Sequence, residues 1–230
     1  PRDFDGVIRR IAAMGYDGVE TAGFPGSTPQ AAARLFQELG LTVCSAHVSA
    51  PTAANQAEIF DTLALLGCKR AVIAWQPPEL FQSLDGVARV ADLLNTAAGL
   101  AAAHGVTVFY HNHWFELASL NGRPALYHLL DRLDPAVQLE VDTYWVRTGG
   151  VDPASLLLEL GARASLLHLK DGPCTIADPM VAVGEGAMDF SSVLAAADGH
   201  PKWLIVELDR CATDMLTAVD RSLRYLRRLA

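Results

Sequence analysis

The sequence predicts an α/β protein of the (β/α) barrel, or TIM barrel, class. Three observations predict it. Short β-rich apolar runs alternate with longer Ala/Leu-rich helical stretches. Several helical stretches reach a glycine just before the next run, at Gly15, Gly40, Gly67, Gly105 and Gly161, the residue that closes a helix where the chain turns back into a strand. The runs finish at or near Glu20, His47, Trp75, His111, Asp142, His168 and Glu207, spaced 26 to 39 residues apart, each interval one βα unit long. A barrel draws its site from the C-terminal ends of its whole ring of strands, whereas an open sheet uses mainly those near its switch point. A candidate at nearly every strand end therefore favours the barrel.

The elements follow in order. Residues 3–14 predict a helix, because Phe4, Val7, Ile8, Ile11 and Met14 fall on one face. The strands are GVETA (18–22), TVCSAHV (42–48), RAVIAW (70–75), VTVFYHNH (106–113), VQLEVDT (137–143), SLLHLKD (165–171) and WLIVELD (203–209). Helices such as 29–40 and 85–105 lie between them. That makes seven strands where a complete barrel has eight. A strand should precede the helix at 3–14, so the barrel is expected to lack its first strand. Open ladder edges would follow, and with them a possible homo-oligomer. No Pro/Gly/Ser linker divides the chain, so residues 1–230 are expected to form a single domain.

Bulk properties narrow the function. Half of the residues are hydrophobic, enough for a sizeable core, and the net charge is −8. An acidic chain lacks the basic footprint of a nucleic-acid binder. No apolar run approaches a membrane span, and no signal peptide is expected. Cys44, Cys68, Cys174 and Cys211 are scattered with no CxxC pair. Neither a zinc ribbon nor a disulfide framework is indicated, and a cytoplasmic location is expected.

The candidate chemistry sits at the strand ends. In FYHNHWFEL (109–117), His111 and His113 are expected on one strand face, with Glu116 just beyond, able to fold back as a base. In VQLEVDTYW, Glu140 and Asp142 share a face. Buried carboxylates persist only when paired or coordinated. Asp142, nearer the strand end, is the better ligand, and Glu140 is either a partner of the ligands or a paired core acid. Trp145 either walls a pocket or packs. In SLLHLKDG, His168 suits a metal, and Lys170 suits a substrate, a developing enolate or a salt bridge at the rim. Asp171 is expected to cap a loop. Glu207 stands in an otherwise apolar run and is expected to be a ligand or a base. Glu185, in VGEGAMDF (183–190), either contacts substrate or lies on a surface turn. The two glycines there lack the lysine and spacing of a phosphate loop. Glu20 and His47 can complete the ring as substrate ligands.

Together His111, Asp142, His168 and Glu207 make a mixed imidazole–carboxylate set without thiolate. Such a set suits one divalent ion, Mn²⁺, Mg²⁺, Co²⁺ or catalytic Zn²⁺. A metal there would polarise a sugar carbonyl and acidify the neighbouring C–H.

GYDGVE, SAHVS, YHNHWFE, EVDTYWV, LLHLKDG, VGEGAMDF and IVELD, in this order, resemble the sugar phosphate isomerase/epimerase superfamily, the xylose isomerase-like TIM barrels. The resemblance covers almost the whole chain. It implies a metal-dependent barrel acting on sugars, keto-sugars, inositols or their phosphates. In epimerases of this superfamily two glutamates, an aspartate and a histidine bind the metal, and the glutamates also move protons. Asp142, His168 and Glu207 match three of those positions, and His111 stands where the first glutamate is expected. This departure leaves Glu116 to supply the carboxylate, as ligand or base. The HNH form is more like relatives resembling inosose dehydratases and keto-glycoside-processing enzymes. Relatives also begin with an extra first strand.

The leading expectation is therefore a metal-dependent sugar isomerase or epimerase working through an enediolate, with Glu116 and Glu207 moving protons. Glu20, His47, His113, Trp145, Lys170 and Glu185 are the substrate-binding candidates. The alternatives are a lyase, either an inosose dehydratase or a keto-glycoside eliminase, and a non-catalytic sugar-binding barrel. A nuclease resembling the apurinic endonucleases would need more metal ligands and a basic DNA-facing surface. The expected partner is a small sugar or sugar phosphate, with neither nucleic acid nor membrane.

Overall fold

The computed structural model describes residues 3–229. Their contacts separate two compact units. One takes the chain up to residue 74, then 92–110 and 134–137; the other takes 75–91, 111–133 and the chain from 138 onward.

The elements run in the predicted alternation. They are α1 (Phe4–Met14), β1 (Gly18–Thr21), α2 (Pro29–Leu39), β2 (Thr42–His47), α3 (Gln56–Leu65), β3 (Arg70–Ile73), α4 (Leu84–Ala102) and β4 (Thr107–His111). Then follow β5 (Ser119–Leu120), β6 (Arg123–Pro124), α5 (Ala125–Leu130), β7 (Gln138–Asp142), α6 (Thr143–Thr148) and α7 (Pro153–Leu160). The chain closes with β8 (Ala164–Leu169), α8 (Phe190–Ala197), β9 (Trp203–Val206) and α9 (Met215–Leu229). Among the described residues, all seven predicted strands form, and β1 follows α1 with no earlier strand.

In the first unit β1, β2, β3 and β4 pair in parallel in that order. The helices start and stop where their sequence dictates. Asp3 caps α1 by accepting from the Gly6 amide at 3.0 Å, and Thr28 caps α2 through the Ala31 amide at 3.2 Å. Both helices end on a left-handed glycine, Gly15 and Gly40. Val43, Ala46, Ala71, Val72, Ile73, Val108 and Phe109 are buried, as are Leu35, Phe36, Phe60 and Leu63 from the helices. Strands buried on both faces read as continuous apolar runs, which is why the sequence shows little alternation here.

In the second unit β7, β8 and β9 pair in parallel. Leu139, Val141, Leu166, Leu167 and Leu169 are buried in the strands, with Leu156, Leu157, Phe190 and Val193 from α7 and α8, which pack together. The β5–β6 hairpin was not among the predicted elements. Its signal was present: Asn121-Gly122 is a two-residue loop with positive φ at both positions (49° and 90°), the dipeptide that fits the twist of a tight hairpin.

The strands end earlier than predicted, and the reason lies in their polar ends. β4 stops at His111, and just beyond it the His113 amide donates to Glu116 Oε2 at 2.9 Å. His113 thus lies past the strand end, with its ring 5.0 Å from that of His111. Asn112 takes over the backbone pairing: its Oδ1 accepts from the Asp142 amide at 3.1 Å and its Nδ2 donates to the Asp142 carbonyl at 3.3 Å. Likewise Asp142 ends β7 and caps α6, and Lys170, Trp75 and Glu207 lie just past their strands.

Candidate functional site

The parallel register of β7 and β8 sets Asp142 directly opposite His168. Glu140 precedes Asp142 by two residues and Lys170 follows His168 by two, so strand alternation keeps all four on one side. Glu140, Asp142, His168 and Lys170 are fully buried or within 1% of it, and His111 is 3% exposed. Glu207 and Asp209, following β9, are about one-third exposed. The cluster thus has a closed floor and one open side.

The contacts join into one network. Glu140 Oε2 lies 3.3 Å from His111 Nδ1 and 3.2 Å from His168 Nε2. Glu207 Oε2 accepts from His168 Nδ1 at 2.6 Å. Carboxylates thus stand at both ring nitrogens of His168 and orient the ring. Asp142 divides its work: Oδ1 accepts from the Trp145 amide at 2.8 Å, and Oδ2 lies 3.1 Å from Lys170 Nζ and 3.9 Å from His111 Nε2. The Lys170 ammonium also reaches Glu207 Oε2 at 2.8 Å and both Asp209 oxygens at 3.0 and 3.2 Å, and it stands 5.2 Å above the Trp145 ring.

These contacts fix the protonation of two groups. Burial works to lower the Lys170 ammonium, but Asp142, Glu207 and Asp209 outweigh it and hold it above the ordinary lysine range. Burial likewise pushes the Glu207 carboxyl up, and His168, Lys170 and His111 overcome that and hold it well below the usual carboxylate range. At neutral pH the site therefore holds an ammonium and an ionised Glu207.

Three carboxylates, those of Asp142, Glu207 and Asp209, surround one ammonium, and a fourth, that of Glu140, lies between His111 and His168, which leaves room for further positive charge. Donor atoms of His111, Asp142 and His168 lie within 4.8 Å of one another, all buried, and could hold a metal ion. The donors fit: two imidazoles and a carboxylate suit a hard or borderline divalent ion.

The other candidates are placed as follows. Glu116 is fully buried in a short turn, Phe115–Leu117, with Oε2 on the His113 amide and Oε1 3.9 Å from His113 Nδ1; it is not in the His111–Asp142–His168 group. The His113 ring stacks on Phe115 at 5.3 Å and meets the His111 ring edge-on at 5.0 Å. Trp145 is 3% exposed, with Trp114 packed 4.7 Å away. In the other unit, His47 Nε2 and Glu20 Oε1 form a pair at 2.8 Å. Glu185 lies on an exposed turn, paired with Arg221 at 2.7 Å. Asp209 and Asn112 carry contacts that no strand-end pattern singled out.

Asp171 caps its loop as expected. Oδ1 accepts from the Gly172 and Met188 amides and Oδ2 from the Gly184 and Gly186 amides, at 2.8 to 3.1 Å. The glycine-rich loop thus folds around the protein's own carboxylate. A Cβ on Gly186 would sit 2.2 Å from Asp171 Oδ1. Gly186→Ala is expected to destabilise the protein by about 1–3 kcal/mol, through overpacking against a buried, hydrogen-bonded group. Thermal unfolding checks this at roughly 2–4 °C per kcal/mol for a chain of this size.

Comparison with known proteins agrees with this fold. A family model described as xylose isomerase-like TIM barrel matches residues 8–229. The chain is similar to a sugar phosphate isomerase/epimerase from Parabacteroides distasonis, at 22% identity and a TM-score of 0.81 over 97% of this chain and 91% of that one. It is also similar to 3-keto-D-glucoside 4-epimerase from E. coli, at 20% identity and 0.71 over 99% and 95%. A third likeness is to the probable 3-DHS dehydratase involved in petrobactin synthesis from Bacillus anthracis, at 12% identity and 0.74 over 97% and 93%. At these identities the likeness to each solved structure is one of fold. A comparison with curated proteins finds no match.

Proposed function

The chain belongs to the xylose isomerase-like TIM barrel family, and from that membership we propose that it is a metal-dependent isomerase or epimerase of a sugar or keto-sugar. The fold class is the one the sequence predicts, a (β/α) barrel one strand short. The match over residues 8–229 supports reading the whole chain as one domain of this family.

The observation that carries the reading is the buried His111–Asp142–His168 group beside an ionised, partly exposed Glu207. His111, Asp142 and His168 would hold one divalent ion, with Glu207 either joining them or keeping its hold on His168. Such an ion, when bound, polarises a carbonyl and makes the adjacent C–H acidic. Glu207 is the proton acceptor in this reading: it is ionised, and its open side can reach a substrate. Lys170 supplies fixed positive charge facing any oxyanion that develops nearby. Glu116, spent on the His113 amide, shapes the turn that carries His113 and Trp114. Glu20 and His47 stay substrate-binding candidates as a hydrogen-bonded pair.

Two measurements test the proposal. Metal analysis of the purified chain should find about one divalent ion per chain, and ketoses in D₂O should exchange the C–H beside the carbonyl. If no ketose exchanges with Mn²⁺, Mg²⁺, Co²⁺ or Zn²⁺ supplied, the reading fails. A lyase would use the same site, and the likeness to a dehydratase keeps it as the second reading. Product mass separates the two, since a lyase loses water or an aglycone.

Among the described residues no helix is long and apolar enough to cross a membrane. All four cysteines are free, which supports work in a reducing cytoplasm.

A further inference from the structure

We propose that Glu140 is the positioning residue of this site: its one buried carboxylate faces the inner nitrogen of both ligand imidazoles, so that His111 presents Nε2 and His168 presents Nδ1 to the ion. The inference rests on the isomerase reading for the presence of an ion. It adds which nitrogens hold that ion and what commits them.

A neutral imidazole has one N–H and one lone pair, and only the nitrogen with the lone pair can bind a cation. An acceptor at one ring nitrogen keeps the proton there and leaves the other nitrogen to the ion. Glu140 Oε2 lies 3.3 Å from His111 Nδ1, while His111 Nε2 lies toward Asp142 Oδ2, 3.9 Å away. His168 has a carboxylate at each nitrogen: Glu140 Oε2 is 3.2 Å from Nε2 and Glu207 Oε2 is 2.6 Å from Nδ1. For His168 to be a ligand at all, one of the two must yield.

Depth and mobility select Glu207. The register sets Asp142 opposite His168 but Glu140 opposite Leu166, two residues earlier on each strand and nearer the floor. Glu140 is in the middle of β7, fully buried, and its neighbours Leu139 and Val141 are buried as well. A carboxylate there has no water to turn into and persists only while the imidazoles face it. Glu207 lies just past β9 and is about one-third exposed, and away from His168 it keeps the Lys170 ammonium as a partner at 2.8 Å. An ion on the floor side would be walled off from any substrate, whereas the side of Asp142 and Glu207 faces the open edge of the cluster. The same exchange serves the reaction. Once Nδ1 is taken, the Glu207 carboxylate is released from His168 and can turn to a substrate C–H.

Imidazole nitrogen NMR reads the assignment directly. Two-bond ¹H–¹⁵N spectra of the ¹⁵N-labelled full chain, loaded with diamagnetic Zn²⁺ at neutral pH, should place the His111 proton on Nδ1 and the His168 proton on Nε2. Glu140→Gln keeps the size of the side chain but offers one acceptor and one donor where both rings need an acceptor. It should mix the tautomers and weaken Zn²⁺ binding roughly 10–100-fold in competition with a chelator. Glu207→Gln should leave both tautomers as they stand. A proton on His111 Nε2 or His168 Nδ1, unchanged Zn²⁺ affinity in Glu140→Gln, or a switched His168 tautomer in Glu207→Gln overturns the inference. So does a chain that takes up no Zn²⁺. The spectrum of the unaltered protein decides the matter even if Glu140→Gln does not fold. Deuterium exchange into ketoses separates the two claims. Exchange with the ion on the opposite nitrogens sinks this inference and leaves the isomerase reading standing. The expected tautomers without exchange into any ketose do the reverse.

Discussion

Lys170→Met is expected to lower the stability of the protein by about 3 kcal/mol, measured by denaturant unfolding. The ammonium is 1% exposed and neutralises Asp142, Glu207 and Asp209 at once. Removing one partner from a buried ion cluster leaves uncompensated charge and typically costs about 3–5 kcal/mol. The low end applies because Glu207 and Asp209 are about one-third exposed, so water screens them. Met fills the stem of the side chain, so the loss reports charge rather than a cavity. A second readout follows from the same geometry. With the ammonium gone, the three carboxylates attract another cation more strongly. Added Mn²⁺ should raise the melting temperature of the variant more than that of the unaltered protein. A variant as stable as the parent, or one indifferent to Mn²⁺, would show that Lys170 does not balance this cluster.

Asp142→Asn should reduce ketose C–H exchange by at least about 100-fold, the upper end of what is lost when a residue merely supporting a metal ligand is changed. The substitution preserves shape. The side-chain oxygen can still accept from the Trp145 amide, so the cap of α6 survives. What changes is the other atom, which now presents an NH₂ group to Lys170 where Oδ2 stood at 3.1 Å. That mismatch costs about 1–3 kcal/mol, small enough to leave the fold intact. Metal content measured alongside distinguishes a lost ligand from a lost substrate contact: the expected result is that both activity and bound metal fall. Retained metal with unchanged exchange would remove Asp142 from the site.

Much of the fold was legible because its causes are local. The glycines at 15, 40, 67, 105 and 161 all adopt positive φ, and Gly15, Gly40 and Gly161 cap their helices as expected. The seven strand runs were legible because a strand buried on both faces is apolar throughout, and a polar residue interrupts it only where burial ends or the residue is paired. Asp142 and His168 were legible for that reason, and the register then set them opposite one another. Asp171 was read as a loop cap and is one.

Glu140 was read as a partner of the ligands or a paired core acid, but which side chains it would reach was not legible. Sequence placed it deeper than Asp142, yet its carboxylate reaches both His111 and His168. The register of β7 against β8 and the end of β4 decide that, and neither is written in VQLEVD. Asp209 was passed over as the last residue of the run WLIVELD; it lies three residues beyond the end of β9, where the reach of Lys170 gives it a partner. Asn112, between the two histidines, serves as a substitute backbone partner for Asp142. For Glu116 the sequence left two roles open, ligand and base, and the turn at Phe115–Leu117 places its carboxylate on the His113 amide.

The sequence by itself therefore determined the βα alternation, the places where helices end, and which strand ends carry imidazoles and carboxylates. Those depend on periodicity, on glycine conformation and on the cost of burying charge, all of which act within a few residues. Only the tertiary structure decided which atoms share the cluster and that one ammonium sits among its carboxylates. Those depend on strand register and side-chain reach between segments 30 to 40 residues apart, such as Asn112 with Asp142 and Lys170 with Asp209. No local pattern encodes distances of 3 Å across such gaps.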